Sequence, residues 1–156
     1  MENLNKGISS NFDFQNSLVR IVDIVNFEGS LLTLFENREN KHIYLLDWVD
    51  SDTEHNRWLL YKTNATMLNK FINGLTSHYD LFTFNEMYCY IIDVDTNLVW
   101  NNQNRVQKKD LPQSYIPKKD VFFDEYDCPN LGNLEAYIFL AQESEIQKTS
   151  KTLVFQ

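Results

Sequence analysis

The stretch that decides the fold is His42-Ile43-Tyr44-Leu45-Leu46-Asp47-Trp48-Val49, a polar run over 50–56, and Arg57-Trp58-Leu59-Leu60-Tyr61-Lys62. Both apolar segments carry bulky or β-branched side chains on alternate and intervening positions, and a short acidic connection separates them. That pattern predicts two adjacent antiparallel strands. Upstream, Leu18-Val19-Arg20-Ile21-Val22-Asp23-Ile24-Val25 predicts another strand, turned by Phe27-Glu28-Gly29-Ser30 into one over 31–36. Asn37-Arg38-Glu39-Asn40 is a connection of hairpin length. Four strands joined by short turns make a meander.

Downstream the period changes. Met67, Leu68, Phe71, Ile72 and Leu75 fall on one helical face, with Thr63 or Asn64 to cap the start and Gly74 to end it. Ser77 with Asp80 three residues on predicts a capping box opening a second short helix through Phe84. Alternation returns in Met87-Tyr88-Cys89-Tyr90-Ile91-Ile92-Asp93-Val94, with Leu98-Val99-Trp100 pairing back on it. All three prolines, Pro112, Pro117 and Pro129, fall within 101–133, which reads mainly as loop. Residues 134–142 read as a last strand. The expected architecture is α+β: a curved antiparallel β-sheet, an N-terminal four-stranded meander plus C-terminal strands, with one or two helices packed on one face. Residues 1–16 read as an arm whose Phe12 and Phe14 dock or stay loose, 17–142 as a single domain, and 143–156 as a polar tail.

The chain has 156 residues, 43% of them apolar, with 14 basic against 22 acidic side chains for a net charge of −8. Residues 101–119 hold Arg105, Lys108, Lys109, Lys118 and Lys119 against Asp110, a local +4 that leaves −12 elsewhere. So acidic a remainder repels polyphosphate and argues against a nucleic-acid partner. It suits a basic protein partner instead. No apolar run approaches the ~18 residues of a membrane span, and the start lacks a secretory layout. Two cysteines make no disulfide framework, so a cytoplasmic location is expected.

Chemistry-bearing motifs are missing. Glycines at 7, 29, 74 and 132 form neither a phosphate-cradling loop nor a nucleophile elbow, and His42, His55 and His78 lack zinc-helix spacing. Asp50-Ser51-Asp52-Thr53-Glu54-His55 alternates like a calcium loop, but His55 stands where glycine belongs and Tyr61 where the bidentate glutamate belongs. Asp93-Val94-Asp95-Thr96-Asn97 fails similarly at Leu98 and Asn104. Both read as polar turns, and Asp124-Glu125-Tyr126-Asp127-Cys128 as a solvated loop. Asp47 and Asp93 interrupt apolar strands. Converging on one pocket they would suit a divalent ion; otherwise each belongs at an exposed or edge position. Cys89 reads as core and Cys128 as an exposed loop residue, neither activated by its sequence neighbours. Trp48, Trp58 and Trp100 read as core aromatics.

Glu36-Asn37-Arg38, the 42–50 segment, Arg57-Trp58-Leu59-Leu60-Tyr61, Phe71-Ile72-Asn73-Gly74 and Asp80-Leu81-Phe82 together resemble an uncharacterised bacterial family, domain of unknown function six-five-seven-five. Leu111-Pro112 and Ile116-Pro117 fit its later proline-bearing stretch, so the resemblance covers about residues 17–120. The family's hairpin glycine is replaced by Asn40, which tolerates a left-handed backbone. The resemblance implies a bacterial or phage origin and a scaffold, with no activity attached. The expectation from the whole sequence is a non-catalytic protein-binding component, accessory, antitoxin-like or immunity-type, in a bacterial conflict or phage-defence system. Its expected interaction surface comprises Asp50, Asp52, Glu54, Arg105, Lys108 and Lys109, with no catalytic, cofactor or metal residues. The alternative is a divalent-metal hydrolase or nuclease built on the strand carboxylates.

Overall fold

Alternation along the strands separates two apolar sets, and each set faces a different side of one sheet. In a computed structural model of the chain, which describes residues 8–9 and 13–154, that sheet has seven strands. They are β1 (Ile8–Ser9), β2 (Leu18–Asn26), β3 (Ser30–Asn37), β4 (Ile43–Ser51), β5 (His55–Thr63), β6 (Tyr88–Asp95) and β7 (Trp100–Gln107). All neighbours are antiparallel, in the order β1-β7-β6-β5-β4-β3-β2. The helices are α1 (Phe14–Ser17), α2 (Ala65–Ile72), α3 (His78–Thr83) and α4 (Leu131–Val154). The α+β architecture expected from the sequence is the one observed.

One face carries Ile43 and Leu45 from β4, Leu59 and Tyr61 from β5, and Cys89 and Ile91 from β6. They pack under Leu68 and Phe71 of α2, Leu81 and Phe82 of α3, and Leu134 and Ile138 of α4. Asn64 caps α2 by accepting from Met67 N at 2.8 Å, and Gly74 (φ 74°) turns the chain after it. Ser77 and Asp80 form the expected capping box on α3. The opposite face buries Phe14, Leu18, Phe35, Leu46, Leu60 and Ile92.

The sheet curls around this second set. Phe35 on β3 and Trp100 on β7 lie four strand intervals apart, roughly 19 Å along a flat sheet, yet their rings meet edge-on at 5.8 Å. Helix α1 fills the resulting concavity. Phe14 sits edge-on against Tyr90 at 4.6 Å, and its N–H donates to Gln103 Oε1. Gln15 holds the β6–β7 turn from both sides, donating to Leu98 O and accepting from Trp100 N. Of the two arm aromatics, Phe14 therefore docks; Phe12 lies outside the described residues.

Three expectations are corrected. The expected strand over 134–142 lies in the first half of α4. Leu134, Ile138 and Ala141 follow the helical period, but exposed Phe139 and Leu140 (62% and 68%) interleave with them and make the run look evenly apolar. The helix continues through the polar residues after 142, where Glu145 accepts from Ala65 N at 2.9 Å and so closes the start of α2. Second, β7 extends to Gln107 inside the segment read as loop; its amide-rich sequence is paired by β6 on one side and, at Asn104 and Arg105, by β1 on the other. Third, Cys128 is buried, its thiol 3.6 Å from Asp23 O.

The β3–β4 hairpin departs from expectation in detail. Asn37 Oδ1 accepts from Glu39 N and Asn40 N, and the left-handed residue is Lys41 (φ 65°) instead of Asn40. A left-handed conformation costs a residue with a Cβ about 1 kcal/mol. Lys41→Gly is therefore expected to stabilise the protein by up to about 1 kcal/mol, read as a higher urea midpoint at unchanged slope.

Candidate functional site

Strand parity places Asp47, Arg57 and Asp93 on the helix-covered face, in line with Leu45, Leu59 and Ile91. All three are buried, at 5%, 5% and 3% exposure. This corrects the expectation that both carboxylates sit at exposed or edge positions. A buried charge persists only with a partner, and each has one.

Arg57 and Asp93 are cross-strand neighbours on β5 and β6. Arg57 Nε donates to Asp93 Oδ1 at 2.8 Å and one terminal nitrogen to Oδ2 at 2.9 Å, a bidentate pair. The carboxylate holds the guanidinium charged despite burial. Tyr115, on the turn Gln113–Tyr115, lies over the pair and donates its hydroxyl to Asp50 Oδ2 at 2.8 Å. Asp93, Arg57, Tyr115 and Asp50 thus run as one polar chain from β6 across β5 to β4.

Asp47 belongs to a second group. Its Oδ2 accepts from Tyr61 OH at 2.8 Å and meets His78 Nε2 at 2.7 Å. Helix α3 aims the imidazole inward from its first position, with His78 N bonded to Val121 O. Burial pulls the imidazole pKa down, while the Asp47 charge and hydrogen bond push it up, and the balance lies above its ordinary value. The nearby Cys89 thiol is pushed up to about 12 by burial, so it stays protonated. A third buried carboxylate, Asp23, accepts from Ser30, Thr33 and Asn26, and these bonds with Arg20 outweigh desolvation and lower its pKa.

Asp47 and Asp93 are each engaged by their own partners, and among the described residues no cluster of three or more His, Cys, Asp or Glu side chains is arranged to hold a metal ion. Sequence reasoning found the two acids and missed Arg57, Tyr61, His78 and Tyr115. Parity alone marked Arg57, which shares a face with Leu59 and Tyr61 and so required a buried counter-charge.

The six residues of the expected interaction surface do not come together. Asp50 is half-buried under Tyr115. Asp52 and Glu54 are exposed in the β4–β5 turn, where Asp52 Oδ1 accepts from Glu54 N and His55 N. Asp95 organises the neighbouring β6–β7 turn in the same way, through Asn97 N and Val99 N. Asp52 and Asp95 thus organise turns, whereas Asp93 of the second calcium-like segment is a buried strand residue paired with Arg57. Arg105 and Lys108 belong to the other end of the β6–β7 hairpin, paired near Tyr90 and Tyr88. There Arg105 stacks on Tyr88, and Lys108 donates to Phe82 O at 2.6 Å; Lys109 is exposed. Compared with known proteins, the chain matches no family model, no curated protein and no solved structure.

Two outcomes follow. Arg57→Met is expected to cost about 3–5 kcal/mol by leaving Asp93 buried without its counter-charge, and adding Asp93→Leu to recover most of that loss; urea denaturation of both variants checks it. The folded protein binds the His78 proton more tightly than the unfolded chain does. The His78–Asp47 contribution is therefore fully present below the unfolded value of about 6.5 and lost as pH rises through the raised folded value. The stability difference between the wild type and His78→Gln is expected to shrink from acid to mildly alkaline pH.

Proposed function

We propose that the protein is a non-catalytic binding component that engages a basic protein through the rim formed by the β4–β5 and β6–β7 turns. The observation that carries this reading is Leu98. It is 73% exposed and holds a left-handed backbone (φ 63°), a conformation that glycine or asparagine adopts at less cost. Folding gains nothing from a bulky apolar side chain there. Such strain supports a role in contact with another molecule.

The surroundings fit the same role. Val99 is 45% exposed beside it. On the concave face, Trp48 is 38% exposed and pairs with Trp58, while Trp100 pairs with Val94. Trp58 and Trp100 pack partly buried against the concave core as expected, whereas Trp48 is exposed. An exposed tryptophan and an apolar turn tip are the kinds of residue that anchor protein interfaces, and Asp52, Glu54 and Asp95 give the rim its negative field. The net charge of −8 favours association with a basic surface. Both cysteines are buried and free, which suits a reducing compartment such as the cytoplasm. An antitoxin- or immunity-type component of a bacterial conflict or phage-defence system is the biological setting we propose. The family resemblance brings no activity and does not carry the proposal.

A tagged pull-down from host cells at about 0.15 M and about 0.5 M salt, with Leu98→Gly and Trp48→Ala as comparisons, tests this. A basic protein recovered stoichiometrically with the wild type and lost with either folded variant is the expected result. Leu98→Gly is expected to be up to about 1 kcal/mol more stable while binding less. Recovery of the same partner by both variants, or of an acidic partner, overturns the proposal.

A further inference from the structure

At the opposite end of the strands, the start of β4 and the end of β5 meet α4 around a cavity of about 580 Å³. That size lies within the ordinary range for small-molecule sites. Its lining divides by chemistry. Ile43, Tyr137, Leu140 and Ala141 form an apolar side, and Lys41, Lys62 and Lys148 supply the charge. Against these three cations the lining sets Glu36 and Glu145, and Glu86 just outside it lies 3.7 Å from Lys62 and is 53% exposed, a solvent-screened pair that leaves the ammonium within reach of an anion.

Both lining carboxylates are occupied within the fold. Glu36 accepts from Tyr137 OH and lies 3.6 Å from Lys41. Glu145 accepts from Ala65 N and Thr66 Oγ1 at the start of α2. The three lysines share this lining with His42, whose pKa is lowered by its own desolvation first and then by Lys62 and Lys148, against an opposing effect of Glu86, so the imidazole is neutral at pH 7. One polar atom of a lining residue is buried and unsatisfied. Thr63 is 5% exposed and lines the cavity, and its Oγ1 has no hydrogen-bond partner among the described residues. A buried hydroxyl left unsatisfied costs stability unless something bonds to it. Leu140, 68% exposed on the cavity wall, is likewise an apolar contact that the fold leaves open.

We propose that this cavity binds a small organic phosphate, a phosphomonoester on an apolar or aromatic body, with the phosphate among Lys41, Lys62 and Lys148 and the body against Tyr137 and Leu140. Lysine ammoniums suit a compact multivalent anion, whereas the planar fork that arginine offers a carboxylate is missing from the lining. The site is independent of the turn rim and of the partner proposed there.

The test uses phenyl phosphate as probe, with inorganic phosphate, benzoate and benzyl alcohol as comparisons, followed by NMR shifts of the cavity residues and by thermal melting. Phenyl phosphate is expected to bind in the millimolar range, to move the His42, Thr63 and Ser144 signals, and to raise the melting temperature. It is expected to bind about tenfold more weakly to the Lys62→Gln/Lys148→Gln variant. Leu140→Asp alters an exposed position and is expected to weaken binding without unfolding the protein. Shifts absent from the cavity, or unchanged affinity in the double-lysine variant, overturn the proposal. Equal binding of inorganic phosphate or benzyl alcohol overturns the two-part ligand, and equal binding of benzoate overturns the choice of phosphate.

Discussion

The bidentate pair between Arg57 and Asp93 is the contact on which the helix-covered side of the molecule depends. It joins the two central strands below the surface, and through Tyr115 and Asp50 it ties the proline-bearing segment to β4. Two charges in an apolar layer stabilise little over well-packed apolar residues of the same volume. Their effect is on specificity: a one-residue slip of β5 against β6 would strand both charges, so the observed register excludes its neighbours. The Asp47–His78 contact does the same for α3, which has too few residues to hold its place by helix propensity alone.

Much of this was legible in the sequence. Alternation located β2 through β6 to within two residues at most ends, because a side chain must point either into a packed layer or away from it. Asn64, Gly74, Ser77 and Asp80 marked the helix ends through local hydrogen bonding that needs no tertiary context. The failures have a common cause. Strand β7 is a polar segment made regular by β6, and α4 shows exposed Phe139 and Leu140 between its buried positions, so in each case the pattern was set by distant neighbours or by surface roles. Local reasoning also had no access to which polar groups meet: His78 lies 31 residues from Asp47, and Tyr115 lies 65 from Asp50.

The two faces of the sheet differ in how they are closed. The convex face is sealed by three helices and the segment carrying the prolines. The concave face is sealed by its own curvature and a single turn of helix whose Phe14 fills the centre. That difference leaves aromatic rings open at the rim of the concave side and a cavity on the convex side, at opposite ends of the strands.

Each of β2 to β7 pairs with the strand next to it in the chain, so the sheet can add strands in order as the polypeptide leaves the ribosome. The segment that carries Tyr115 and helix α4 follow the sheet in the chain. Until they emerge, Val22, Leu34, Leu45 and Leu59 have no cover beyond α2 and α3, and Arg57 lacks its contact with Tyr115. A nascent chain stalled before residue 111 therefore displays a broad apolar surface, and Leu111, Tyr115, Cys128, Leu134 and Ile138 turn that surface into a core once they are added.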